Sequence, residues 1–157
     1  MSDKNDRVSF TGYLFKASGG LVSWTSHKQH SIATSSTVAE YMALSDAARE
    51  AEARRQLYME LGLEFTPLLL SDNQAALTIA DEPSQYQKIK HVNVRYHHIR
   101  HQLHKGRLFI DYVPSNQNPA DALTKALTPL KHGRCLAIMG FIKVYDVDWH
   151  TEDDEID

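Results

Sequence analysis

The sequence predicts a mixed α/β fold, and three observations carry that prediction. An aromatic-rich alternating pair of segments is separated by glycines near the N-terminus. A long run of helix formers follows it, and short apolar stretches then alternate with helical patterns up to about residue 139. A strand hairpin followed by alternating helices and strands gives a sheet covered by helices.

Residues 11–16, TGYLFK, alternate and suit a strand. Gly19-Gly20 signals a hairpin turn, so Leu21 to Ser26, LVSWTS, is the antiparallel partner. Thr37-Val38-Ala39-Glu40 matches a capping box, which starts a helix near Thr37. Tyr41, Leu44, Ala48 and Ala51 recur at helical spacing, and Gly62 ends the helix. Pro67 to Ser71 is an apolar run without alternation, which predicts a strand buried on both faces. Asn73 to Ala80 reads as a short helix. Residues 91–105 are helical in pattern, with Val94, His98 and His101 on one side and Gly106 as the stop. Arg107 to Val113 is a strand. Pro119 to Leu127 reads as a helix with Asn118 as N-cap, and Leu130 to Met139 as a last helix closed by Gly140. Trp24 and Tyr13 read as core residues rather than base-stacking platforms.

Composition narrows the class. The 157 residues suffice for one domain with its own core. A hydrophobic content of 42% with 24% charged residues suits a globular chain, and no apolar run reaches membrane-helix length. The N-terminus lacks an apolar leader, and the single cysteine, Cys135, has no internal disulfide partner; both point to an intracellular, reducing setting. The net charge of −3 conceals an asymmetry. Residues 142–157 hold seven acids and read as an acidic, flexible tail, while residues 1–140 hold 16 basic and 13 acidic side chains. The body, residues 1–141, reads as one domain. Its mild basicity is compatible with phosphate binding.

Three acids occupy telling places. Glu40 falls in the first turn of the long helix, Asp72 just past a strand, and Asp121 in the first turn of a later helix. Ligand sites in α/β folds gather at such strand ends and helix starts. Clustered carboxylates there bind hard cations through oxygen, and paired cations support phosphodiester cleavage. Each acid also has a plainer role: Glu40 in the capping box, Asp72 as a cap, and Asp121 as partner of a helix dipole.

Four motifs sharpen this reading. SWTSHKQHSIATSSTVAEYMALSDAARE, LLLSDNQAALTIA, KIKHVNVRYHHIR and LFIDYVPSNQNPADALTKAL occur in that order, between about Gly12 and Phe141. Together they resemble the ribonuclease H domain of copia-type LTR retrotransposon polyproteins. The resemblance implies a ribonuclease H-like mixed sheet with helices on both faces. It implies that Glu40, Asp72 and Asp121 are catalytic and metal-binding residues for Mg²⁺ or Mn²⁺. It further implies that RNA in RNA–DNA hybrids is the substrate, with a reverse transcriptase domain upstream in the parent polyprotein. Asn73 and Gln74, in the D-N-Q motif, join the nucleic-acid-binding set. A cytoplasmic particle or the nucleus is the expected location if the parent element is expressed.

Two departures accompany the resemblance. The family's first carboxylate stands on a central strand of the type S-D-A-D-W-A-G, whereas SDKNDRVSFTGY matches the element after it. The fold is therefore expected to lack that strand and to leave two strands without a shared neighbour, and cleavage is expected to be impaired. Asp3 and Asp6 match loop acids, either of which would have to move in as a substitute. The loop Pro114 to Asn118 has no histidine where some ribonucleases H carry one; Asn116 or Asn118 could orient water there.

Residues 88–107 carry no acid. Lys88, Lys90, Arg95, Arg100, Lys105 and Arg107 form a candidate phosphate-contacting set. The plainer alternative is a solvated face with some packed histidines. His97, His101 and His104 share a helix face that could catch Zn²⁺, though without a cysteine or acidic partner. Two further functions remain open at this stage: a non-catalytic nucleic-acid-binding relic, and an interaction module that uses the acidic tail or the open sheet edge.

Overall fold

In the computed structural model, residues 9–29, 33, 35–82 and 97–141 are described. They form a mixed α/β fold in the order β1 (Phe10–Ala17), β2 (Gly20–Lys28), α1 (Ser36–Glu60), β3 (Leu68–Ser71), α2 (Gln74–Asp81), α3 (His98–His104), β4 (Phe109–Tyr112) and α4 (Pro129–Met139). Two short 3-10 segments, Ser115–Gln117 and Pro119–Leu123, join β4 to α4.

β1 and β2 form an antiparallel hairpin in which Leu14 faces Trp24 and Ala17 faces Gly20. Its two central turn residues are Ser18 and Gly19, both with positive φ (51° and 85°). That is the primed turn whose twist matches the strands, one residue earlier than the glycine pair indicates. β3 and β4 pair in parallel, from Leu68 against Phe109 to Ser71 against Tyr112. Among the described residues the strands fall into these two pairs, and neither β1 nor β3 has a second neighbour. This arrangement is compatible with a ribonuclease H-like α/β fold.

α1 organises the core. Val38, Tyr41, Met42, Leu44, Ala47, Ala48 and Ala51 are buried along one stripe. They meet Leu69 of β3, Ala76, Ile79 and Ala80 of α2, and Ile99 of α3. Tyr13 and Phe15 of β1 pack against the same cluster. Burial of this apolar stripe, rather than intrinsic propensity, is what holds so long a helix.

Several expectations shift in the structure. α1 is capped by Ser35, whose Oγ accepts from the Val38 N–H at 3.2 Å. Glu40 therefore lies beyond the first turn and plays no capping role. β3 is buried on one face only: Leu69 and Ser71 point inward, while Leu68 and Leu70 are 54% and 52% exposed. Trp24 is 63% exposed on the outer face of β2, because the hairpin alternates and only its Tyr13–Phe15 side meets α1. The helix expected over Pro119–Leu127 is a five-residue 3-10 turn. The first part of the helix expected over residues 91–105, and residues 142–157, lie outside the described residues.

Candidate nucleic-acid and metal site

The D-N-Q motif builds one wall of the site. Asn73 is the N-cap of α2, and its Oδ1 accepts from the Ala76 N–H at 3.0 Å. Asp72 is thereby released from capping. Its carboxylate instead accepts from Asn118 Nδ2 at 3.2 Å, so the D-N-Q turn is tied to the loop after β4. Glu40, Asp72, Asn73, Gln74 and Tyr112 line one open pocket of about 410 Å³. The parallel β3–β4 pair delivers Asp72 and Tyr112 to the same end of the molecule, as the carboxyl ends of strands do in α/β folds.

Electrostatics mark Glu40. Partial burial of its carboxyl raises its pKa, and the neighbouring Asp72, with Asp121 further off, adds to the rise. A negative charge at Glu40 is thus disfavoured unless a cation or a donor compensates it.

Asp121 behaves differently. It is buried, and its two carboxylate oxygens accept from Lys125 Nζ at 2.7 Å and Lys131 Nζ at 2.6 Å. The Asp121 hydrogen bond holds the Lys131 ammonium above its usual pKa. Among the described residues no group of three His, Cys, Asp or Glu side chains is close enough to hold a metal ion. The fit to a divalent cation is therefore partial. Glu40 and Asp72 present oxygen donors to one pocket, whereas Asp121 is committed to two lysines. The i,i+4 spacing of Asp121 and Lys125 is a sequence signal for one of these pairs, whereas Lys131 lies ten residues on and reaches Asp121 only through the packing of α4.

The basic set is divided as well. Arg100 is spent on structure: its guanidinium donates to the carbonyls of Ile79 at 3.1 Å and Glu82 at 3.1 Å, at the C-terminal end of α2. Lys105 and Arg107 flank the end of α3 and are exposed, with Arg107 4.0 Å from Glu52. Lys88, Lys90 and Arg95 lie outside the described residues, as do Asp3 and Asp6. His97 approaches the phenol oxygen of the fully buried Tyr41 at 3.1 Å, and burial lowers its pKa. His98 lies 3.2 Å from the Gln102 amide, and its pKa is also lowered by burial. These contacts use His97 as a packing residue rather than as a zinc ligand.

Comparison with known proteins places these residues in context. No protein-family profile and no solved structure matches the chain. Over 139 residues, 88% of this chain, it is 36% identical to the retrovirus-related Pol polyprotein from transposon TNT 1-94 of Nicotiana tabacum. Identity to the corresponding polyproteins of transposons RE1 and RE2 of Arabidopsis thaliana is 35% over 80% of the chain and 33% over 90%. The chain spans about a tenth of the length of these relatives, 10%, 9% and 10% in turn. Among the described residues no helix is long and apolar enough to cross a membrane. Over most of its length the chain is thus homologous to one short stretch of the retrovirus-related Pol polyproteins of plant transposons, which supports a retrotransposon origin.

Proposed function

We propose that the chain is the ribonuclease H part of a copia-type Pol polyprotein, that it engages RNA–DNA hybrids, and that its capacity to cleave them is impaired. The observation that carries this reading is the shared pocket of Glu40 and Asp72, beside Asn73 and Gln74 of the D-N-Q motif. A Mg²⁺ or Mn²⁺ ion would take Glu40 and Asp72 as oxygen ligands, and when bound it would offset charge at a phosphodiester. Asn73 is fixed by its capping bond, and Gln74 is exposed beside it, so the turn offers a polar edge to a backbone phosphate or sugar. In the parent polyprotein a reverse transcriptase region would supply the hybrid.

A second reading, a binding module without cleavage, is favoured by Asp121 alone. A carboxylate held by two ammonium groups at 2.7 and 2.6 Å is poorly placed to join Glu40 and Asp72. Both readings are tested with a labelled RNA–DNA hybrid in Mg²⁺ or Mn²⁺. The expected result is binding with little or no turnover. Robust cleavage that Asp72→Asn abolishes would overturn the impaired reading and restore a full nuclease. Absence of binding to hybrid, duplex or single strand would overturn both.

A further inference from the structure

Asp121 is a carboxylate that its own chain already neutralises. It is buried, and a buried charge persists only when it is paired. Lys125 Nζ lies 2.7 Å from Oδ1 and Lys131 Nζ lies 2.6 Å from Oδ2, so each oxygen has its own ammonium group. Lys125 comes from four residues further along the same stretch, and Lys131 comes from the first turn of α4. Together the two ammonium groups bring the charge of one divalent ion.

The fold holds α4 to this contact. Thr128 caps α4 by accepting from the Lys131 N–H at 3.4 Å, which sets the backbone of Lys131 at the helix start. Cys135 lies one helical turn on and on the same face, buried, with its thiol directed at the Asn118 carbonyl 4.0 Å away. α4 therefore meets the 3-10 stretch both at Asn118 and at Asp121. Asn118 in turn caps that stretch by accepting from the Ala120 N–H at 3.1 Å, and it donates to Asp72 at 3.2 Å. One asparagine thus joins the Asp121 turn to the Asp72 turn.

Charge acts across that link. Glu40 is repelled by Asp72 and Asp121 and attracted by Lys125, while Lys131 is attracted by Asp121 and by Asp72. The lysines therefore offset part of the negative charge that Glu40, Asp72 and Asp121 gather in this part of the molecule. A Mg²⁺ ion on an Asp121 oxygen, at about 2.1 Å, would stand within about 5 Å of the ammonium on that oxygen, in direct repulsion. Ion and lysine compete for one carboxylate.

We propose that Lys125 and Lys131 are resident counter-ions that hold the place of a divalent cation at Asp121, so that this carboxylate fastens α4 and takes no metal ion while the lysines are in position. The proposal rests on the cation reading of the Glu40–Asp72 pocket given above, and the two are tested apart. The measurement is Mn²⁺ binding to the whole chain, followed by electron paramagnetic resonance of the free ion. Glu40→Gln/Asp72→Asn should weaken binding at least tenfold; unchanged binding counts against the pocket, and the lysine variants still decide the counter-ion role. Asp121→Asn should leave Mn²⁺ affinity within twofold of the parent and lower the melting temperature, because α4 loses its clasp. Lys125→Gln/Lys131→Gln should raise Mn²⁺ affinity at least tenfold, and adding Asp121→Asn should remove that gain. A tenfold loss of affinity in Asp121→Asn with both lysines present overturns the proposal, since Asp121 is then already a ligand. A lysine variant that binds Mn²⁺ no better than the parent overturns it as well, and so does a gain that survives Asp121→Asn. An Asp121→Asn variant as stable as the parent rejects the clasp. Should the double lysine variant fail to fold, Lys131→Gln alone decides. It keeps Lys125 on Asp121 and should raise affinity severalfold, whereas unchanged affinity rejects the competition.

Discussion

Glu40 and Asp121 show how one residue type takes opposite roles within one site. Glu40 stands at an open pocket in a partly desolvated recess facing Asp72, so its charged form is disfavoured. Asp121 is buried more deeply, yet two lysines meet its oxygens. Glu40→Gln tests the first role. Its folded-state pKa is raised, so its favourable contribution is complete below the unfolded value near 4.3 and is lost as pH rises through the folded value. Gln stays neutral throughout. The variant should therefore match the parent below about pH 4 and exceed it near neutrality, by a few tenths of a kcal/mol (~0.5) for so exposed a group. Thermal melts from pH 3.5 to 7.5 provide the check. A variant that is less stable at pH 7 would mean that the carboxylate is compensated rather than strained.

The hairpin and the 3-10 helix show what packing demands of an element. Gly12 lies in β1 where a Cβ would stand 2.5 Å from Thr124 Cγ2 and 3.0 Å from Leu123 Cβ. Ser26 of β2 fastens the same turn by donating to the Leu123 carbonyl at 2.6 Å. Gly12→Ala should push the turn off the strand and cost about 1–3 kcal/mol, as overpacking does. Gly133, exposed in α4 with nothing within 4 Å, is the matched control. Gly133→Ala should stabilise by up to about 1 kcal/mol. Equal melting temperatures for the two variants would refute the close contact. These elements also show how far the sequence could be read. The hairpin, α1, β3, α2 and α4 were legible from local periodicity and from turn or terminal residues, although the cap of α1 is Ser35 rather than Thr37. Trp24 reads as core in the sequence yet is exposed, because a strand's alternation does not reveal which face meets α1. The Pro119–Leu127 helix was overextended because its apolar spacing is shared by a 3-10 turn that is fixed from outside by Gly12 and Ser26. The motifs point to Glu40 and Asp72, which the fold brings to one pocket. The second lysine on Asp121, Lys131, was not legible, because its contact arises from the return of α4 onto the turn.

At the scale of the whole molecule, charge is unevenly spread. Residues 1–140 carry 16 basic and 13 acidic side chains, and seven acids follow. The described structure commits several of the basic groups: Lys125 and Lys131 to Asp121, and Arg54 and Arg55 to Glu50 and Glu52 on the same helix. Arg100 is bound to the end of α2. The basic groups outside these pairs include Lys105, Arg107 and the run that holds Lys88, Lys90 and Arg95, the set proposed to meet phosphates. Each phosphate contact releases condensed counterions, so the logarithm of affinity should fall with the logarithm of salt by roughly 0.7–0.9 per contact. The triple variant Lys88→Glu/Lys90→Glu/Arg95→Glu should weaken hybrid binding and flatten that slope by roughly 2–3 if all three touch phosphates. Arg100→Gln serves as a contrast. It removes the α2 cap and should lower the melting temperature while leaving the slope nearly unchanged. Fluorescence anisotropy with a labelled hybrid between about 50 and 200 mM salt separates the two, since this range already spans a large affinity change for a multi-contact site. A triple variant with the parent's slope would remove this run as the contact surface and shift attention to Lys105 and Arg107, where α3 hands the chain to the start of β4.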